Sequence, residues 1–298
     1  MWDVYKVEES YKKFPEVRRE EVLKFQEWIH SQPHMPKISE HEALLFYYAS
    51  KCNTEISKQV LDTYLTCRTH VESFFRNLDV NRADLQNAMK IVSLCPMPTL
   101  TPEGYGVVIA KLVDFETSKF NFIAAIKLVL LAMDIWIQTL GIVPGLIFVI
   151  DLQGVKLGHI ARIGILDMKK FLFYLQEAIP IRMHGFHFIN QVPFMDKLLA
   201  LMTPFMKKEL LDVLHMHSSI EGFYKHVPPQ MLPKEIGGDL PASKKLKEVF
   251  YDVLRKNRNE ILKFEQSHLI EEAKRPGKAK TASDLFGIEG SFKKLDID

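Results

Sequence analysis

YGVVIAKLV (105–113), NFIAAIKLVLLAMDIWIQTL (121–140) and GLIFVIDL (145–152) succeed one another with only short connections between them. The first stretch is β-branched and bounded by glycine, and the third is a continuous apolar run of the kind that buried strands show. The middle stretch is too long for a strand and apolar on nearly every side, which suits a buried crossover helix. Strand, helix and strand in this order predict a parallel pair, because parallel strands need a crossover of a dozen or more residues.

Working outward, the alternation continues downstream. IRMHGFHFI (181–189) is a third strand candidate and IEGFYKHV (220–227) a fourth, each preceded by a helical segment, so the reading is an α/β sheet with mostly parallel strands. Residues 244–264 read as one further amphipathic helix. Upstream the period changes to that of helices, with Val22, Phe25, Trp28 and Ile29 in one segment and Leu44, Leu45, Tyr47 and Tyr48 in the next. A helix over 40–50 should be capped by Ser39 with Glu42 at its third position, and one over 54–68 should bury Ile56, Val60, Tyr64 and Cys67 on one face. CPMPTLTPEG (95–104) cannot continue a helix. The expected organisation is a small all-helical unit over 1–95, an α/β domain over 96–265 and a tail over 266–298. In that tail Leu285, Phe286, Ile288 and Phe292 are too apolar for a free end and should dock.

Composition narrows the function. With 39 basic and 37 acidic residues in 298, the net charge of +2 gives no electrostatic footprint for nucleic acid. Cys52, Cys67 and Cys95 form no C-x-x-C pair and, being odd in number, no closed disulfide framework, which fits a reducing compartment. The N-terminus has no apolar core of a secretory signal. Lys127, Asp134 and Gln138 interrupt the apolar stretch from Phe120 onward, so no run is expected to reach the length a bilayer requires. A cytoplasmic protein is the expectation.

Grouped catalytic residues are missing. There is no G-x-S-x-G, no phosphate-binding G-x-x-x-x-G-K-[ST] and no H-E-x-x-H, and Gly104 and Gly106 precede a strand rather than open a helix. His215 and His217 lack a third ligand at metal spacing and read as a helix terminus, so no metal and no cofactor is expected. His184 and His187 alternate to opposite faces of their strand, which leaves His187 as a satisfied buried histidine.

One segment departs from an ordinary core helix. VPFMDKLLALMTPFMKKELLDVL (192–214) carries Phe194, Met195, Leu198, Leu199, Leu201, Met202, Phe205 and Met206 over more than one stripe. Pro204 lacks a donor N–H and disfavours helical geometry at Thr203, so the segment should divide into two short helices with a hinge. Such a piece serves equally as a kinked core helix or as a hinged apolar cover. Seven of the 12 methionines lie between Met133 and Met216, and their adaptable side chains suit either role.

Taken in order, LLFYYASKCNTEISKQVLDTYL (44–65), DLQG (151–154), IPIRMHGFHFIN (179–190), TPFMKKELLDVLHMH (203–217) and LPKEIGGDLP (232–241) resemble the CRAL-TRIO lipid-transfer family, and within it the tocopherol-carrier branch. The H-x-x-N, the P-F that follows and the later L-P-x-x-x-G-G are its most specific marks. The resemblance implies a helical N-terminal subdomain on an α/β lipid-binding domain, with one hydrophobic ligand beneath a mobile helical gate.

Positions matching the family's cavity wall are Ala125, Leu128, Ala132, Ile150, Val155, Ile163, Leu175, Ile179, Met183, Phe186, Leu198, Met202 and Met206, all apolar. Each is compatible with core packing as well as ligand contact. The tocopherol carriers have two small hydroxyl residues at Leu128 and Ala132, which points to a different polar anchor. Of their basic headgroup cluster, Arg182 and His184 are kept while Glu209 and Val213 replace the other two, leaving Lys207 and Lys208 nearby as substitutes.

The implied function is non-enzymatic: cytosolic binding and transfer of a tocopherol, retinoid, carotenoid or other isoprenoid-like lipid. Its expected partners are that ligand and a transient membrane surface, with phosphoinositide as the candidate headgroup, and no nucleic acid and no second subunit. The alternative is a phosphoinositide-dependent membrane adaptor or lipid sensor.

Overall fold

The computed structural model describes residues 6–287. Six helices come first: α1 (Val7–Lys13), α2 (Arg19–Ser31), α3 (Glu40–Ala49), α4 (Thr54–His70), α5 (Glu72–Phe75) and α6 (Ala83–Ile91). The Ser39 capping box on α3 forms as its spacing predicts, with Ser39 Oγ accepting from the Glu42 amide and the Glu42 carboxylate accepting from the Ser39 amide at 2.8 Å. On α4 the buried face runs through Ser57, Leu61, Tyr64, Leu65 and Arg68, so Ile56, expected inside, is 46% exposed.

The remaining elements are β1 (Val92–Pro96), β2 (Gly106–Leu112), α7 (Phe122–Leu140), β3 (Leu146–Asp151), α8 (Leu157–Ile160), α9 (Ile165–Glu177), β4 (Met183–Ile189), α10 (Met195–Met202), α11 (Lys208–Leu211), β5 (Leu214–Met216), α12 (Ile220–Tyr224), α13 (Ser243–Lys256), α14 (Arg258–Ser267) and α15 (Ala282–Phe286). The sheet order is β1-β2-β3-β4-β5. β1 is antiparallel to β2, and the other pairs are parallel.

Four sequence expectations are corrected. The helices give way to the sheet at Val92, and the short VSLCP run that the helical reading absorbed is the edge strand β1. Its exposed backbone is met by α13: the Tyr251 hydroxyl donates to Val92 O at 2.9 Å and accepts from the Leu94 amide at 3.2 Å. Residues 220–227 are not a strand; Ile220–Tyr224 is a helical turn that buries Phe223, and the last strand is instead Leu214–Met216. The expected single helix over 244–264 breaks at Asn257 into α13 and α14.

The fourth correction concerns length. α7 is long and apolar enough to cross a membrane by composition, but most of it is buried inside the protein. Its charges have internal partners. Asp134 pairs with Arg68 of α4 at 2.7 Å, and Lys127 donates to Arg76 O at 2.8 Å. α7 is therefore the core helix on which the N-terminal helices sit.

Both faces of the sheet are covered, which explains the continuous apolar runs. Val108, Phe148, Phe186 and Phe188 face α7 and α9, while Val107, Ile109, Ile147, Val149 and Ile189 pack against Phe223, Val227 and Leu232. At the C-terminal end, Phe286 is buried against Phe173, and Lys169 donates to its carbonyl at 2.5 Å, so the described part of the tail docks. Ile288 and Phe292 lie outside the described residues.

Candidate ligand-binding site

The inner face of the sheet and helices α7, α8, α9 and α10 line a partly open cavity of about 180 Å³. Phe148, Ile150, Phe186 and Phe188 form its floor, Phe122, Ala125, Ile126 and Val129 of α7 one wall, and Ile160, Ile163, Met168 and Phe171 the other. α10 closes it with Leu198 and Met202. β4 can do this because its alternation sends Phe186 and Phe188 to one face and His187 to the other.

Three polar side chains reach the lining. Asp151, at the end of β3, ion-pairs with Lys111 at 3.3 Å and accepts from Asn190 Nδ2 at 2.8 Å and from the Gln153 amide at 2.9 Å. Its turn needs Gly154: φ is +77°, and a Cβ there would stand 2.3 Å from the Phe115 ring.

His159 is the third. Its Nδ1 accepts from the Lys156 amide at 2.9 Å, whereas Nε2 is buried with no hydrogen-bond partner. Burial pushes its pKa below the ordinary histidine value, helped by the Lys156 charge. In a neutral ring whose Nδ1 is an acceptor, Nε2 carries the proton. The ring therefore holds a buried N–H donor without an acceptor, set against the Phe120 ring at 5.5 Å. The sequence reading passed over His159, because nothing in LGHIAR shows which ring nitrogen a loop amide will occupy.

The cover divides where Pro204 requires. α10 ends at Met202, Thr203–Phe205 forms a single 3₁₀ turn, and α11 follows. The Gln176 side chain of α9 grips this turn from both sides, donating to Phe205 O at 3.0 Å and accepting from the Lys207 amide at 2.6 Å. That latch is also invisible in sequence, since its halves are about thirty residues apart.

Of the wall positions expected from sequence, the cavity brings together Ala125, Ile150, Val155, Ile163, Phe186, Leu198 and Met202. Leu128, Ala132, Ile179 and Met206 are buried in the surrounding core. Leu175 and Met183 line a separate groove beside Lys207 and Glu209. The four basic positions do not converge as free charges. Arg182 donates to Tyr48 O and lies 4.0 Å over the Tyr48 ring, His184 stacks on Tyr105 at 3.8 Å, Lys207 pairs with Glu177 at 2.5 Å, and Lys208 is exposed.

The histidines of the outer face differ from their sequence reading. His215 lies in β5 and His217 immediately follows it, so neither ends a helix. His187 is satisfied, but by another histidine: its Nδ1 is 2.8 Å from His217 Nε2. Burial and then the neighbouring imidazoles push His187 down to about 3, which keeps its ring neutral.

Two protein-family models match the chain. A CRAL/TRIO domain model matches residues 93–238, and a Pinta-like UBA domain model matches residues 14–85. The chain carries a CRAL/TRIO domain. Among curated relatives, alpha-tocopherol transfer protein-like of Homo sapiens is 26% identical over 239 residues, 79% of this chain and 69% of that protein. Clavesin-1 of Xenopus laevis is 20% identical over 231 residues, 76% of this chain and 70% of that protein. The crystal structure of Sfh5 overlays with a TM-score of 0.46 at 12% identity, covering 85% of this chain and 97% of that one. CRAL-TRIO proteins bind and transfer small lipophilic ligands.

Proposed function

We propose that the chain is a non-enzymatic carrier that holds one isoprenoid-like lipid beneath α10 and exchanges it at a membrane surface. The observation that supports this reading is the cavity under α10, whose lining is apolar apart from Lys111, Asp151 and His159. Each 100 Å² of hydrocarbon removed from water there contributes about 2.5 kcal/mol. At about 180 Å³ the cavity is smaller than the roughly 300 Å³ at which drug-sized ligand pockets begin. A whole lipid therefore needs the cover to lift or repack, which the Pro204 hinge and the flexible Met168 and Met202 side chains favour.

His159 narrows the class of ligand. An unpartnered N–H in an apolar lining favours a lipid with one oxygen acceptor, a hydroxyl or carbonyl, over a pure hydrocarbon. The carboxylate of an ionised fatty acid would leave most of its hydrogen-bonding capacity unmet there.

Native mass spectrometry of the protein after incubation with a cellular lipid extract tests the proposal. One retained neutral isoprenoid or retinoid per chain supports it. Retained phosphoinositide moves the reading to the membrane adaptor, and a protein that excludes all lipids reduces α10 to core packing.

A further inference from the structure

Four imidazoles meet on the sheet face opposite the ligand cavity. His187 points there from the middle of β4. The parallel register sets His215 of β5 beside it, with ring centroids 4.7 Å apart. The His217 amide donates to Phe188 O at 3.0 Å, extending the ladder by a residue, and His217 lies two positions beyond His215 on the same face. His226 arrives from the turn after α12, which Phe223 and Val227 anchor in the core at 0% exposure.

We propose that His187, His217 and His226 bind one transition-metal ion of the zinc class. One ring nitrogen from each lies within 4.8 Å of the others. Tetrahedral zinc with nitrogen ligands at about 2.0–2.1 Å holds those nitrogens roughly 3.3–3.4 Å apart. His187 and His217, now 2.8 Å apart, need to open by only a few tenths of an ångström on this estimate. His226 is exposed and free to swing in. The Phe223 ring stands edge-on to His187 and His217, 5.5 Å from each, and limits their rotation.

Backbone geometry supports the same placement. A Cβ on Gly185 would fall 2.2 Å from His187 Nε2, so the glycine makes room for the ring. His215, with its ring 4.7 Å from those of both His187 and His226, stands next to the fourth position, which it or water would take. An all-imidazole set without carboxylate favours zinc, copper or nickel over magnesium and calcium. Among the described residues this is the single grouping of three metal-capable side chains. Its histidines come from three elements, so their spacing in sequence conceals them.

The test uses untagged, chelator-treated full-length protein titrated calorimetrically with zinc chloride, with cobalt(II) as a spectroscopic stand-in. One ion per chain, visible cobalt bands of tetrahedral type and no competition from calcium or magnesium are expected. His226→Gln, a surface change that leaves the fold intact, should weaken zinc by about tenfold or more. His217→Gln should do the same where circular dichroism shows a folded protein. Absence of saturable binding at one per chain, or equal affinity in wild type and His226→Gln, overturns the proposal. The site and the lipid cavity lie on opposite faces of the sheet, so neither outcome bears on the carrier reading.

Discussion

Replacing His159 by Phe tests whether its buried Nε2–H meets a ligand oxygen when the cavity is occupied. In the wild type, Nε2–H is buried without an acceptor, and Nδ1 is committed to the Lys156 amide. A ligand oxygen that meets this donor removes a desolvation penalty of about 1–3 kcal/mol. Phe keeps the ring volume and gives up the donor. It also releases the Lys156 amide, a loss of about 1 kcal/mol that falls on fold stability and is common to every ligand. The quantity to measure is therefore a double difference. Affinities of wild type and His159→Phe are determined by equilibrium dialysis for phytol and for phytane, the C20 isoprenoid alcohol and its hydrocarbon. Phytol should lose about 5- to 150-fold relative to phytane in the variant. If both ligands weaken by the same factor, Nε2 does not meet the ligand oxygen, and the hydroxyl or carbonyl preference argued for this cavity is wrong.

Four further outcomes follow from the same geometry. Met202→Asp sets a carboxylate in the cavity roof, where an uncompensated buried charge opposes several kcal/mol of hydrocarbon contact; transfer of a fluorescent tocopherol between vesicles should fall at least tenfold, and unchanged transfer would remove α10 from the gate role. Gln176→Leu cuts both hydrogen bonds that hold the hinge, so ligand release measured by stopped-flow fluorescence should quicken by about tenfold while thermal stability changes by no more than about 1–2 kcal/mol. Asp134→Ala strands the buried Arg68 guanidinium and should lower unfolding stability in urea by about 3–5 kcal/mol, a loss that Arg68→Met in the same background should partly restore. Burial opposes the Glu42 charge, but His268 at 2.6 Å and the Ser39 cap outweigh it and hold the carboxyl at about 2 instead of 4.5. A depressed carboxylate stabilises the fold above pH 4.5, and that stability, about 3 kcal/mol, is lost as the pH falls towards 2; Glu42→Gln should flatten this part of the pH profile.

Local patterns carried much of the fold. The β2–α7–β3 unit, the Ser39 box and the break at Pro204 were legible because each depends on residues a few positions apart: apolar runs, a hydroxyl three residues from a carboxylate, an imino acid without an N–H. The segment over 220–227 misled for the same reason. Its alternating Phe223 and Val227 fit a strand locally, but the last ladder position had already been taken by LHM, and a short helical turn buries the same two side chains. β1 was missed because a five-residue strand gives too little period to distinguish it from the end of a helix.

By itself, then, the sequence determined the class of this protein: an apolar βαβ core, a helical N-terminal portion and a break at Pro204 in the apolar segment over 192–214. Burial preference and backbone propensity are properties of short segments, so they can be read there. Only the tertiary structure decided which apolar residues face a cavity and which fill the core, since Ala125 and Leu128 lie on one helix yet meet different neighbours. It also decided the chemistry. The free N–H of His159, the Gln176 latch, the occupation of Arg182 by Tyr48 and the meeting of His187, His217 and His226 all depend on contacts between distant segments, which only the packing of helices on both faces of the sheet brings within reach.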